Sequence, residues 1–138
     1  HCQCRRQRQM CIRDSDTIKL REDFRPFAPA VLEEHYKEYF DTNSPSPYMS
    51  RICKVKTDKV PGITHVDNTA RIQTVNKQFN EKFYNIINEF YKITGIPMLL
   101  NTSFNCQEPI VETPEEAIRT FKKTALDLLV IGDYVVRK

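Results

Sequence analysis

Apolar residues recur at three- and four-residue steps from Phe83 through Ile86, Ile87 and Phe90 to Thr94, which predicts an amphipathic helix over Glu81–Thr94. Gly95 suits the position just past its end, and Pro97 prevents its continuation. Thr113-Pro-Glu-Glu116 carries the signals of a helix start: Thr113 as N-cap, Pro114 at the first helical position, and Glu116 closing a capping box. Ala117, Ile118 and Phe121 then face inward. A period of two replaces the helical period over Tyr48–Val55 and Thr69–Val75, and more briefly over Thr17–Arg21, predicting strands. Pro97–Thr102 and Leu126–Ile131 are short apolar runs, read as buried strands. Gly132-Asp133 turns the chain into a further strand, Tyr134–Val136. Phe24–Pro29 holds two prolines and reads as an extended, packed loop. A helix is expected after it, over Ala30–Phe40, with Val31, Leu32, His35, Tyr36 and Tyr39 on one face. Asp41–Pro47 and Lys56–Gly62 are connections by composition. Strands alternating with helices place the chain in the α/β class, with a mixed twisted sheet and flanking helices.

Residues 1–15 fit none of these patterns. The stretch Met10-Cys-Ile-Arg-Asp-Ser15 looks like the translation of a sequencing-library adaptor. Residues 1–15 are therefore expected to be a foreign, disordered leader, and 16–138 a domain incomplete at its N-terminal side. The leader distorts the composition. It holds Arg5, Arg6, Arg8 and Arg13 against Asp14, so the net charge of +3 lies entirely within it. Of the 21 basic and 18 acidic residues, 17 of each remain beyond it, and a neutral body gives no footprint for nucleic acid. Cys2, Cys4 and Cys11 also fall in the leader, leaving Cys53 and Cys106, for which reduced thiols are expected. No apolar run approaches the roughly 18 residues of a membrane span, and no apolar signal segment opens the chain. The expectation is a cytoplasmic protein without a membrane partner.

Four polar clusters are candidates for chemistry. Lys19 and Arg21, two apart on a strand, aim to one side and suit a phosphate or carboxylate; Arg25 follows them. A lone pair of this kind is more often a solvated edge strand. His65 and Asp67, with Arg71 beyond, do not have the spacing of a metal site, and His65 by itself reads as a hydrogen-bonded structural histidine. Asn101-Thr-Ser-Phe-Asn105 follows an apolar strand, the position at which α/β sheets place ligands. Ser103 and Asn105 there offer hydroxyl and amide donors to phosphate oxygens, or form a polar turn. Glu108 and Glu112 read as surface charges or as ligands of Mg²⁺ or a hydroxyl.

Taken in order, five segments resemble one family. These are Ile18–Leu32, Ile63–Val75, Pro97–Asn105, Glu108–Ala117 and Leu126–Val135, and they are similar to the corresponding motifs of NodU/CmcH-type carbamoyltransferases. The resemblance spans nearly everything from Ile18 to Tyr134. It implies a YrdC-like domain, whose signature pairs Lys19 and Arg21 with Ser103 and Asn105. It also implies ATP and carbamoyl phosphate as co-substrates, with Mg²⁺ accompanying the nucleotide, and carbamoyl adenylate as product. A separate N-terminal transferase domain, absent from this chain, then passes the carbamoyl group to a hydroxyl of a small-molecule or sugar acceptor. In this scheme Lys19, Arg21 and Arg71 meet phosphate and carbamoyl oxygens, and Ser103 and Asn105 hold nucleotide phosphates. His65 and Asp67 position carbamoyl phosphate or assist proton transfer, and Arg25 binds the anion or braces its loop.

Asn68 stands where the family usually has Gly, and Asn tolerates positive φ. The Arg-rich stretch that precedes this region in the family is replaced by the leader. The chain alone is therefore expected to fold poorly and not to turn over. A tRNA threonylcarbamoyl-adenylate synthase is a rival within the same fold. A non-catalytic nucleotide-binding module is a rival of a different class.

Overall fold

The computed structural model describes residues 27–106 and 108–138. They form two compact units, 27–102 and Ser103–Lys138.

The first unit is built on a five-stranded mixed sheet. Its strands are β1 (Ala28–Leu32), β2 (Phe40–Asp41), β3 (Arg51–Val55), β4 (Thr69–Val75) and β5 (Met98–Asn101), in the spatial order β2-β3-β4-β1-β5. Only β1 and β4 run parallel, with Ala30 beside Gln73 and Leu32 beside Val75. A short helix, α1 (Tyr36–Tyr39), precedes β2, and the long helix α2 (Glu81–Thr94) joins β4 to β5.

Both sheet faces carry a core. On one, Val31, Cys53, Ala70, Ile72 and Met98 pack with Tyr36, Phe40, Val60 and Ile63. On the other, Ile87 of α2 packs on Ala30, Leu32 and Val75, flanked by Phe83, Tyr91 and Leu99. Asn80 caps α2 by accepting from the Phe83 N–H, and Gly95 ends it at φ 72°, a left-handed turn that Gly adopts without steric cost. The bounds of α2 and β4 are those the periodicity predicts.

The expected helix over Ala30–Phe40 is corrected. Its first three residues belong to β1, and only Tyr36–Tyr39 is helical. Ala28–Leu32 is buried at every position, because β1 is flanked by strands on both edges and by a core on both faces. A short strand buried on both faces has no alternation to display, so its period cannot be told from that of a helix. The strand expected from Tyr48 begins three residues later. Met49 lies at φ 53°, and this left-handed turn delivers the chain to β3.

The second unit contains α3 (Pro114–Lys123) and the hairpin β6 (Leu128–Ile131) and β7 (Tyr134–Arg137). The capping box forms as expected, with the Thr113 hydroxyl accepting from Glu116 N and the Glu116 carboxylate accepting from Thr113 N. Two backbone donors, first Glu112 N and then Thr113 N, hold the Glu116 carboxyl below its ordinary value. Ala117, Phe121 and Leu129 make the core. Ile118, expected inside, is exposed, and so are Leu128 and Val130 of the strand expected to be buried: only one face of the hairpin is covered by α3. No helix among the described residues is long and apolar enough to cross a membrane.

Candidate active site

Lys19, Arg21 and Arg25 lie outside the described residues. The other candidates divide between the two units.

In the first unit the helix α2 covers only part of its sheet face. The register places Lys54 opposite Thr69 and Ile52 opposite Arg71 on that same face, followed by Gln73, which lies beside Ala30. Asn101 of β5 lies beside Ala28. Ile52, Lys54 and Arg71 are exposed. Gln73 and Asn101 sit on either side of β1. The small side chains of Ala28 and Ala30 between them let the amides meet: Asn101 Nδ2 donates to Gln73 Oε1 at 2.6 Å. Gln73 Nε2 donates in turn to the Pro47 carbonyl at 3.2 Å. The result is an oriented amide pair two residues along from Arg71. The Arg71 guanidinium has no ion-pair partner among the described residues.

A tight turn brings His65 and Asp67 to the same end of this face. His65 N donates to Thr69 O at 2.7 Å, and Asn68 N donates to His65 O at 3.0 Å. Asn68 takes φ 60°, the left-handed conformation expected of a residue replacing Gly. Asp67 Oδ1 accepts from Thr69 N at 3.0 Å and from the Thr69 hydroxyl at 2.6 Å. Those bonds lower the Asp67 pKa, the hydroxyl contributing most. Thr69 Oγ1 also lies 3.0 Å from His65 Nδ1. His65 and Asp67 are thus joined through the side chain of Thr69 across a turn, not by strand alternation. Sequence reasoning does not single out Thr69 or Gln73, and it names Asn101 only as the first residue of the polar segment that holds Ser103 and Asn105. The one available signal was that Thr69, Arg71 and Gln73 share a strand face.

In the second unit Ser103 and Asn105 are together. The Ser103 hydroxyl donates to Asn105 Oδ1 at 2.7 Å, Asn105 N donates to Ser103 O at 3.2 Å, and Asn105 Nδ2 donates to Glu108 O at 2.6 Å. Phe104 between them packs on the Ala117–Phe121–Leu129 core. Glu108 pairs with Lys123 at 3.0 Å on the surface, and Glu112 is exposed. Among the described residues no group of three or more His, Cys, Asp or Glu side chains converges as metal ligands do.

The family model described as Carbamoyltransferase C-terminus matches residues 3–138. The chain belongs to that family. It is 46% identical to Nodulation protein NolNO of Sinorhizobium fredii over 128 residues, 88% of this chain and 19% of that protein. It is 47% identical to Nodulation protein NolO of Bradyrhizobium diazoefficiens, again over 88% of this chain and over 23% of the relative. Nodulation protein U of Sinorhizobium fredii is 43% identical over 64% of the chain. The chain thus spans about a fifth of the length of the first two of these relatives.

Proposed function

We propose that this chain is part of an ATP-dependent carbamoyltransferase and that it forms carbamoyl adenylate. The observation that carries the reading is one face of β4 in a chain of the carbamoyltransferase family, along which Thr69 with its bonded His65, then Arg71, then Gln73 with its bonded Asn101 follow one another. Both co-substrates are polyanions. The reaction that releases phosphate and pyrophosphate balances with one water: the phosphoryl group leaves carbamoyl phosphate, the carbamate oxygen bonds to the α-phosphorus of ATP, and pyrophosphate departs. Negative charge spreads over oxygens in that transition state, and fixed cations and amide donors stabilise it best.

Arg71 offers a planar fork matched to a phosphate or carboxylate edge. Gln73 is held in place by Pro47, and Asn101 by Gln73, so Asn101 meets a ligand at little further ordering cost. Ser103 and Asn105 are assigned to nucleotide phosphates. Their mutual hydrogen bond keeps the loop shaped, and the Ser103 hydroxyl re-aims from Asn105 Oδ1 to a phosphate oxygen. Lys19, Arg21 and Arg25 supply cations in the same scheme, within a YrdC-like fold in the cytoplasm. The carbamoyl group then passes, through the longer remainder found in the relatives, to a hydroxyl of a small-molecule or sugar acceptor.

The test is exchange of radiolabelled pyrophosphate into ATP by the full-length protein. Exchange that requires carbamoyl phosphate supports the reading. ATP binding without exchange would instead make this a nucleotide-binding module.

A further inference from the structure

Two side chains share the Thr69 hydroxyl. Thr69 Oγ1 lies 2.6 Å from Asp67 Oδ1 and 3.0 Å from His65 Nδ1. A hydroxyl has a single hydrogen to donate. An ionised carboxylate only accepts, so the hydrogen goes to Asp67, which a second donor, Thr69 N, also holds in its ionised form. Thr69 Oγ1 is then an acceptor toward His65, and the hydrogen of that contact belongs to Nδ1. The neutral imidazole is left with its lone pair on Nε2. That nitrogen has no hydrogen-bond partner among the described residues, and the side chain is only partly buried. The nearest cation across the sheet on this face is Lys54, opposite Thr69; Arg71 follows two residues along β4.

We propose that Thr69 is a positioning residue that fixes His65 as the Nδ1–H tautomer, so that Nε2 accepts the N–H of the carbamoyl group and selects carbamoyl phosphate over acyl phosphates. This rests on the carbamoyl-adenylate reading above. The chemistry follows from what distinguishes the substrate. Carbamoyl and acetyl phosphate share a carbonyl and a phosphate, and both serve Arg71 equally. They differ in an NH₂ against a CH₃, and only a hydrogen-bond acceptor reads that difference. A site built to accept that hydrogen rejects the methyl analogue because its own lone pair is left unpaired. The common alternative tautomer, with the hydrogen on Nε2, would present a donor to a donor. The Asp67–Thr69 pair excludes it.

The experiment compares wild type, Thr69→Val and Thr69→Ser of the full-length protein. One readout is the ratio of the inhibition constant for acetyl phosphate to the KM for carbamoyl phosphate in pyrophosphate exchange. Thr69→Val should raise the carbamoyl phosphate KM about tenfold, the loss of one hydrogen bond, with acetyl phosphate inhibition unchanged, and Thr69→Ser should restore the ratio. Equal weakening of both ligands, or no change in either, overturns the proposal. The second readout is the pair of ¹⁵N shifts of His65, assigned by subtraction with His65→Gln. A protonated Nδ1 and bare Nε2 in wild type, lost in Thr69→Val, support the relay. A protonated Nε2 in neutral wild type overturns it whatever the substrate proves to be. Wild type that shows the Nδ1–H tautomer but no carbamoyl phosphate-dependent exchange refutes the substrate assignment and its selectivity role, and identifies the failure as that of the underlying reading.

Discussion

Replacing Arg71 with Ala separates a binding role from a structural one, because the structure gives the side chain almost nothing structural to do. Arg71 is exposed, its cross-strand neighbour Ile52 is exposed too, and no carboxylate among the described residues pairs with it. Truncation of such a side chain changes stability by no more than about 0.5 kcal/mol. If the guanidinium grips carbamoyl phosphate, the loss is that of a hydrogen bond between charged groups, about 1.5–3 kcal/mol. That corresponds to roughly a 10- to 150-fold rise in the KM for carbamoyl phosphate. Arg71→Lys keeps the charge but not the planar fork, so it should fall between wild type and Arg71→Ala. The assay is pyrophosphate exchange at varied carbamoyl phosphate, with thermal melting on the same samples. An unchanged KM would refute the assignment, and a large fall in melting temperature would show that Arg71 supports the fold after all.

Three further outcomes follow from the packing and the turns. Ile87→Ala leaves a hole between α2 and the strands β1 and β4, where the side chain is wholly buried; the expected cost is about 3 kcal/mol in urea denaturation, and a cost below about 1 kcal/mol would contradict the packing described. Thr113→Ala removes the N-cap of α3 and should cost about 1 kcal/mol, with Thr113→Ser nearly neutral. The Asp67 carboxyl titrates below its ordinary value in the folded chain, held there chiefly by Thr69. Its contribution to the turn is therefore complete above that ordinary value and disappears as pH falls through the lowered folded one. The amide shift of Thr69 should report a midpoint below that of a free aspartate, and a midpoint above it would contradict the bonding described.

What was legible in the sequence depended on how one-sided each element's environment is. The helix Glu81–Thr94 lies on a sheet with its other side in water, so Phe83, Ile87 and Phe90 stand out against charges. β4 is also readable, because Ala70, Ile72 and Thr74 are buried while Arg71 is exposed. β1 is surrounded on all sides and its burial has no period, so the sequence divides it between an extended loop ending at Pro29 and a helix starting at Ala30. Leu128 and Val130 are apolar yet exposed, so an apolar run alone overstated how deeply β6 is buried. At the site, Arg71 and the pair His65 and Asp67 were visible as polar residues in a family-like order. Thr69 was not, since a threonine at the start of a strand is ordinary and its importance comes from two contacts across a turn. Gln73 and Asn101 are far apart in the chain and meet only because β1, with its alanines, lies between them.

The proposed function requires that the cations Lys19 and Arg21 and the pair Ser103 and Asn105 bind the same polyanion. A double-mutant cycle with Lys19→Ala and Asn105→Ala in the full-length protein, read as kcat/KM for carbamoyl phosphate-dependent pyrophosphate exchange, tests that directly. A shared anion predicts that the second substitution does much less harm once the first is present, a coupling above about 1 kcal/mol. Losses that simply add, to within about 0.5 kcal/mol, would show that the two residues act on separate partners.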